Sequence, residues 1–449
     1  MSLILGFLIA IALAGFSFAA LTRGPWALLL VLLQFPAEQL LQSYYVFFVA
    51  NPEAFNIAVG LISGIAVLIT LLRESGAMAS FLNTGSVALW VYVTYAAVTV
   101  LWSPLTNARP FPSGAIAYVV LFLVIGPILL NGTRDLRTLM TISLVLGTVL
   151  GLLIVSNPNA EFSRGRYVLR FASTGSATDS NPLAMADLGG YIAIIAVLSR
   201  FQGAALLWFF IRGLAVLIGT ILLLDSGSRG QVIMAGVVIV AFYPIAHQIE
   251  DVRRFIGRVV LLGLVVIAVL FASQYLSAAG TERRWESDAV LEASQGRIAN
   301  IGILLSAWFK DPTKWLQGLG NGAFASLDTG SRQPYVHNVL AEALGEFGIV
   351  GLVLLGTALM SAVIAGRRLF VRFATFPFER ADVAALLATA AFSFLVSNKQ
   401  GNIWVSMPTF MLLILVIRFE RITRDEEHIN ASSECDAEES DQQQSAHAV

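Results

Sequence analysis

Apolar stretches of bilayer length recur along this 449-residue chain, near residues 3–21, 55–72, 86–102, 114–130, 138–155, 184–199, 204–224, 231–248, 258–276, 337–365, 383–397 and 403–419. A hydrocarbon layer about 30 Å thick is crossed by roughly 20 apolar residues in a helix. Backbone polar groups inside that layer must be satisfied within the segment, which leaves the helix as the natural form for runs of this length. A further stretch, 26–49, is interrupted by Gln34, Pro36, Glu38, Gln39 and Gln42, and reads as a kinked span or a re-entrant element lining a cavity. The expected fold is therefore an all-α polytopic membrane protein with 12–14 transmembrane helices. With 57% hydrophobic and 13% charged residues, and a mean hydropathy of +0.77, the chain is excluded from the soluble globular class.

The ends and the loops add direction. Residues 3–21 have no positive segment before them and Arg23 after them, so they read as a retained first helix rather than a cleaved signal. Residues 421–449 hold eight acids and two bases and read as a disordered acidic tail, dispensable from about Thr423. The single cysteine, Cys435, lies in that tail, so neither an intramolecular disulfide nor a cysteine metal site is available. Basic clusters at Arg134 and Arg137, at Arg253, Arg254 and Arg258, and at Arg367, Arg368, Arg372 and Arg380 are separated by even numbers of spans, which places all of them in the cytoplasm by the positive-inside rule.

Three segments then face outward together: loop 156–183, the turn 225–230 and loop 277–336. They carry arginines against the usual bias: Arg164, Arg166 and Arg170, then Arg229, then Arg283, Arg284, Arg297 and Arg332. Long loops translocate regardless of charge, but Arg229 sits in a turn of a few residues, so an anionic ligand at the outer surface is expected. In Asp225-Ser226-Gly227-Ser228-Arg229-Gly230, glycines permit a tight turn whose N–H groups converge on an anion at a helix N-terminus, with the Arg229 fork beside Ser228 and Gly230. Asn181-Pro182 caps the start of a helix, with donor contact by Asn181 as the second reading. An amphipathic helix is expected over Ser287–Lys310, with Ile298, Ile301, Leu305 and Trp308 on one side and Asp311-Pro312 ending it.

The stretch GLGNGAFASLDTGSRQPYVHNVLAEALGEFGIVG, residues 318–351, combines a glycine turn with His337 and Asn338 at the expected first turn of a long apolar helix. On such a helix His337, Ala341, Gly345 and Gly348 share one face, while Glu342 and Glu346 fall on the next. This run resembles the signature of the O-antigen ligase and polymerase superfamily, in which G-x-G-x-x-x-F is followed by H-N-x-x-L and E-x-G-x-x-G. The Ser226–Gly230 segment is similar to that family's Ser-x-Ser-Arg-Gly. Gln295-Gly296-Arg297 resembles its second arginine motif, G-R-x-x-x-W, although the tryptophan here stands further on, at Trp308, which leaves Arg283 or Arg284 as alternatives to Arg297. GSATDSNPLA, residues 175–184, resembles its Asn-Pro-x-x-Ala segment.

The resemblance implies a fold similar to the C-type glycosyltransferases, divided into N-terminal helices 1–155, a ligase-like core 156–365 that includes a periplasmic loop 277–336, C-terminal helices 366–420 and the tail 421–449. It implies an inner-membrane glycosyltransferase that moves a glycan from undecaprenyl diphosphate, at the periplasmic face, to a hydroxyl of lipid A-core, of another glycan or of a protein. His337, Arg229 and Arg297 are then the expected catalytic residues; Ser228, Gly230, Arg170, Asn181, Asn338, Arg284 and Glu342 are expected to bind substrate, Glu342 or Glu346 by orienting the imidazole. No Asp-x-Asp pair on the outer side, H-E-x-x-H, P-loop or G-x-S-x-G is present, so no metal or cofactor is expected, and nucleic acid is not an expected partner. The alternative is a transporter, either an ion or bicarbonate carrier or a lipid-linked sugar flippase. Transport asks for polar residues at midplane and often for paired halves, whereas this chain masses its polar residues at one surface.

Overall fold

The computed structural model describes residues 14–73, 77–105, 115–163, 166–172, 180–248, 287–327 and 335–426, with scattered positions between 251 and 263. Eight of the described helices are long and apolar enough to cross a membrane: Gly24–Tyr44, Glu53–Arg73, Thr84–Trp102, Thr133–Val155, Ala205–Asp225, Arg229–His247, Gly348–Arg372 and Pro377–Gln400. Two shorter apolar helices, Ala115–Ile128 and Pro182–Leu198, and a helix over 407–426 pack among them. The chain is thus a helical multi-pass membrane protein. Two of the expected spans, 3–21 and 258–276, fall largely outside the described residues.

The ambiguous stretch after Arg23 is a helix with Pro36 inside it, and its Gln34 and Gln42 are buried against neighbouring helices. It is a central span, not a re-entrant loop: a proline inside a helix is tolerated where neighbours surround it. Close approach elsewhere uses small residues, as expected where lipid supplies no hydrophobic drive. The Pro182–Leu198 and Ala205–Asp225 helices cross at Gly189 and Gly219, where a Cβ on either residue would lie 2.6 Å or 2.7 Å from the other's carbonyl oxygen.

Hydrogen bonds sort the helix ends into two faces. On one, Arg137 Nη2 donates to Glu379 at 2.8 Å, Gln248 Nε2 to the Ala374 carbonyl at 2.8 Å, and Arg421 Nη1 to the Leu82 carbonyl at 2.9 Å. The fully buried Arg418 donates to the Pro127 carbonyl at 2.8 Å on the same face. On the other, Asn157 Nδ2 donates to Ser43 Oγ at 2.8 Å, Asn321 N to Thr99 Oγ1 at 3.1 Å, and Asn338 Nδ2 to the Asn398 carbonyl at 2.9 Å. The expected grouping of 156–183, 225–230 and 277–336 on one side, opposite the basic clusters, is the arrangement the described residues take.

Three expectations change. The apolar run 337–365 is not one helix: Val339–Gly345 is a short helix, the chain breaks at Glu346 and Phe347, and Gly348 restarts it with φ 69°. His337 therefore precedes the first helix instead of occupying its first turn. The tail boundary also moves, because helix continues through residue 426, while 427–449 lie outside the described residues. The third change is a small antiparallel hairpin, Ala160–Ser163 with Arg166–Leu169, the one sheet among the described residues.

Thr423 is buried and its Oγ1 accepts from Arg372 Nη1 at 2.7 Å, so the dispensable tail begins later than its charge pattern indicates. Removing residues 428–449 should leave membrane abundance and melting temperature unchanged. A stop after Ile422 removes the Thr423 acceptor of Arg372, a charge-assisted hydrogen bond worth about 1.5–3 kcal/mol, and should lower the melting temperature in detergent.

Candidate functional site

Arg229 opens the Arg229–His247 helix after a turn in which Gly227 takes φ 66°. Ser226 Oγ donates to the Leu223 carbonyl at 2.8 Å and accepts from Ser228 N at 3.2 Å, which fastens the turn to the helix it leaves. Ser228 is buried, and its hydroxyl accepts a hydrogen bond from the Lys399 ammonium. The lysine stem lies across Gly230, where a Cβ would sit 2.6 Å from Lys399 Cδ. Glycine at 230 thus makes room for a lysine delivered by the end of the Pro377–Gln400 helix.

Arg297, Asp187, Arg166 and Arg229 all lie close enough to act electrostatically on the Lys399 ammonium. Asp187 is the one carboxylate among them. It projects from the Pro182–Leu198 helix and accepts from Gln231 Nε2, which also donates to the Leu183 carbonyl at 3.3 Å. Four cations near a single carboxylate leave this end of the helices net positive, the electrostatic form of an anion site. Arg297 comes from the Ser287–Lys310 helix, whose limits agree with the sequence expectation; this helix buries Leu304, against Gly345 and Phe324, and Asn300, while Ile298 is exposed.

His337 is placed by its backbone. It holds φ 62°, a left-handed conformation that few non-glycine residues adopt, and Asn338 next to it is the true helix cap, accepting from Ala341 N at 2.8 Å. The imidazole Nδ1 is 3.5 Å from the Gln400 carbonyl, and the ring packs edge-on to Tyr335 at 4.2 Å between centroids. Half-burial pushes this imidazole below its ordinary value; the Gln400 carbonyl opposes that, and the charge of Arg297 adds to it. His337 thus lies within electrostatic reach of Arg297, and its carbonyl partner Gln400 is the residue that follows Lys399.

The glycine turn has a separate anchor. Glu346 Oε2 accepts from Gly322 N at 2.8 Å and Oε1 from Phe324 N at 3.0 Å. Gly318 and Gly320 have φ 77° and 103°, and a Cβ on Gly318 would fall 2.1 Å from the Glu346 carbonyl oxygen. Neither glutamate orients the imidazole, contrary to the helical-face expectation. Glu346 is spent on the turn, and Glu342 is buried with the Ile403 N–H as its donor. Burial and the charge of Glu346 push the Glu342 carboxyl well above the usual carboxylate range, and the Ile403 N–H opposes them.

Among the other expected substrate residues, Asn338 is occupied by its cap and by the Asn398 carbonyl, and Asn181 caps its helix by accepting from Leu183 N at 3.0 Å. Arg170 pairs with Glu161 at 2.5 Å across the small hairpin, and Arg166, two pleats back, is the arginine that acts on Lys399. Arg284 lies outside the described residues, as do Arg164, Arg283 and Arg332. Sequence reasoning missed Lys399 and Gln231. The signal for the lysine was present as the short polar break Ser397-Asn398-Lys399-Gln400-Gly401-Asn402 between two apolar runs, on the arginine-rich side.

Residues 214–356 match the family model described as O-antigen ligase, a stretch that holds Arg229, Arg297, the glycine turn and His337. The chain is also similar to the exopolysaccharide production protein ExoQ of Rhizobium meliloti (strain 1021), 26% identical over 295 residues. That alignment covers 61% of this chain and 64% of the relative, so it spans less than two thirds of the relative's length. The domain match and this relative, with a helical multi-pass fold behind them, support a likeness to the O-antigen ligase and polymerase superfamily.

Proposed function

We propose that this protein is a glycosyltransferase of surface polysaccharide synthesis that takes a glycan from undecaprenyl diphosphate and passes it to an acceptor hydroxyl at the periplasmic face of the inner membrane. The observation that carries this reading is the meeting of the Ser228–Gly230 turn, Arg297, Lys399 and His337 on the face opposite the basic clusters. The basic clusters mark the cytoplasmic side by the positive-inside rule, which leaves the site outside. A transporter would need its charged groups near midplane; here Arg229 and Lys399 sit at helix ends.

In this reading Arg229, Arg297 and Lys399 receive the diphosphate, whose negative charge grows as the glycosidic bond breaks, and Arg166 extends the positive field. Fixed cations in a partly dry site stabilise that charge without reorganisation, so the protein's own groups can serve where a metal often does. His337, neutral because of its half-buried position, takes the proton of the acceptor hydroxyl. The name of the relative, an exopolysaccharide production protein, favours a polysaccharide product. Transfer by purified protein from a synthetic undecaprenyl-diphosphate-linked oligosaccharide tests the proposal; transport of that donor without any new glycosidic bond would overturn it.

Three variants separate the roles. Arg229→Ala should abolish transfer while the protein still inserts and melts normally, and Arg229→Lys should restore only part, since a point charge cannot reproduce a two-pronged phosphate contact. Lys399→Met keeps the stem over Gly230 but removes a charge-assisted bond of about 1.5–3 kcal/mol, and should raise the donor KM by roughly ten- to a hundredfold.

His337→Asn is a clean test because asparagine tolerates the left-handed backbone at that position; loss of a general base should reduce kcat on the order of 10²–10⁴. The base works unprotonated and its pKa is lowered, so wild-type activity should hold at neutral pH and fall only as pH drops below the ordinary imidazole value of about 6.5. A pH profile of kcat checks this, and the acid limb should vanish in His337→Asn. Wild-type turnover in that variant would remove His337 from the reaction.

A further inference from the structure

An open groove among the described residues lies far from the candidate site, at the other end of the Gly348–Arg372 helix. Its 25 residues span about 37 Å at 1.5 Å per residue, enough to put the two places in opposite leaflets. The groove, about 640 Å³, is lined by Ile364, Arg367, Arg368, Val371, Arg372, Glu420 and Arg424, from that helix and the one over 407–426.

Among the described residues, four guanidinium groups here face few carboxylates. Glu420 is buried, and its Oε1 is 3.9 Å from Arg368 Nη1 and 4.0 Å from Arg424 Nη1, too far for good hydrogen bonds. Asp425 stands 4.0 Å from Arg424 Nε. Arg372 is committed to the Glu420 carbonyl and to Thr423. Arg367, Arg368 and Arg424 therefore present more positive charge than their neighbours cancel.

The same groove has an apolar side. Ile364 is 44% exposed and Val371 72%, and Val363 next to them is 66% exposed, on a spanning helix whose flank meets lipid. A soluble anion would need only the cations. Arginines at the level of the headgroups, above an apolar wall that runs toward the bilayer core, match a ligand with a phosphate head and hydrocarbon chains.

We infer that Arg367, Arg368 and Arg424, with Ile364 and Val371, form a binding site for the phosphate headgroup of an anionic phospholipid in the leaflet on the side of the basic clusters. The site is independent of the donor reading and rests on the charge and shape of this groove alone.

Native mass spectrometry of the full-length protein, with phosphatidylglycerol and phosphatidylcholine of matched chains, provides the test. Wild-type protein should retain phosphatidylglycerol at least tenfold better. Arg368→Gln with Arg424→Gln should lose that preference, and Arg368→Lys with Arg424→Lys should keep part of it at an unchanged melting temperature. Equal retention of the two lipids would overturn the inference, as would a double Gln variant that behaves like wild type. So would displacement of phosphatidylglycerol by millimolar inorganic phosphate, which would assign the groove to a soluble anion. Removing residues 428–449, which are rich in acids, should leave retention unchanged; a tenfold rise would instead give the groove to the tail.

Discussion

An ammonium held at the end of an apolar helix is expensive: taking such an ion out of water costs several kcal/mol even after the surroundings relax. Lys399 meets that cost with the Ser228 hydroxyl and the nearby Asp187 carboxylate. Those contacts tie the Pro377–Gln400 helix to the turn before Arg229 and to the Pro182–Leu198 helix. The next residues, Gln400 and Asn398, lend their carbonyls to His337 and Asn338. One half-buried lysine thus ties the end of its helix to the turn that carries Arg229 and lies beside the residues that hold His337.

The site is also held from the other side. Glu346 fixes the glycine turn through two backbone N–H groups, and the turn docks on the Thr84–Trp102 helix, where Asn321 N donates to Thr99 Oγ1. The break between Val339–Gly345 and Gly348–Arg372 is what frees Glu346 to turn back toward residues 322–324. A continuous helix would have aimed it at lipid or at the next helix. The left-handed backbone of His337 and the short helix behind it are therefore parts of one device that presents the imidazole beside Arg297.

Much of this was legible in the chain. Span positions followed from apolar length, the grouping of the arginine-bearing segments at one end from arginine placement, and the Ser287–Lys310 helix from its periodicity and its Asp-Pro stop. The arginine motifs and His337 were marked by the outward charge anomaly and by resemblance. What stayed hidden depends on contacts between distant segments. Apolar periodicity continues smoothly through Glu346-Phe347-Gly348, so a break forced by a left-handed glycine looks like helix. Arg170 and Arg166 are equivalent on paper, and only the hairpin register commits Arg170 to Glu161. Lys399 was visible as a polar break, but nothing local said that it would cross Gly230 to reach Ser228.

If the cations gathered around Lys399 exist to hold a diphosphate, the sugar-free carrier should bind there by its headgroup charge. The direct measurement compares binding of undecaprenyl diphosphate and undecaprenyl monophosphate to the purified protein, with no acceptor and no turnover. The cluster should favour the diphosphate by at least about tenfold, the scale of one additional charge-assisted contact, and that preference should disappear in Arg229→Ala. Equal affinity for the two lipids, or a preference that survives the loss of Arg229, would contradict the assignment of this cluster as the donor site.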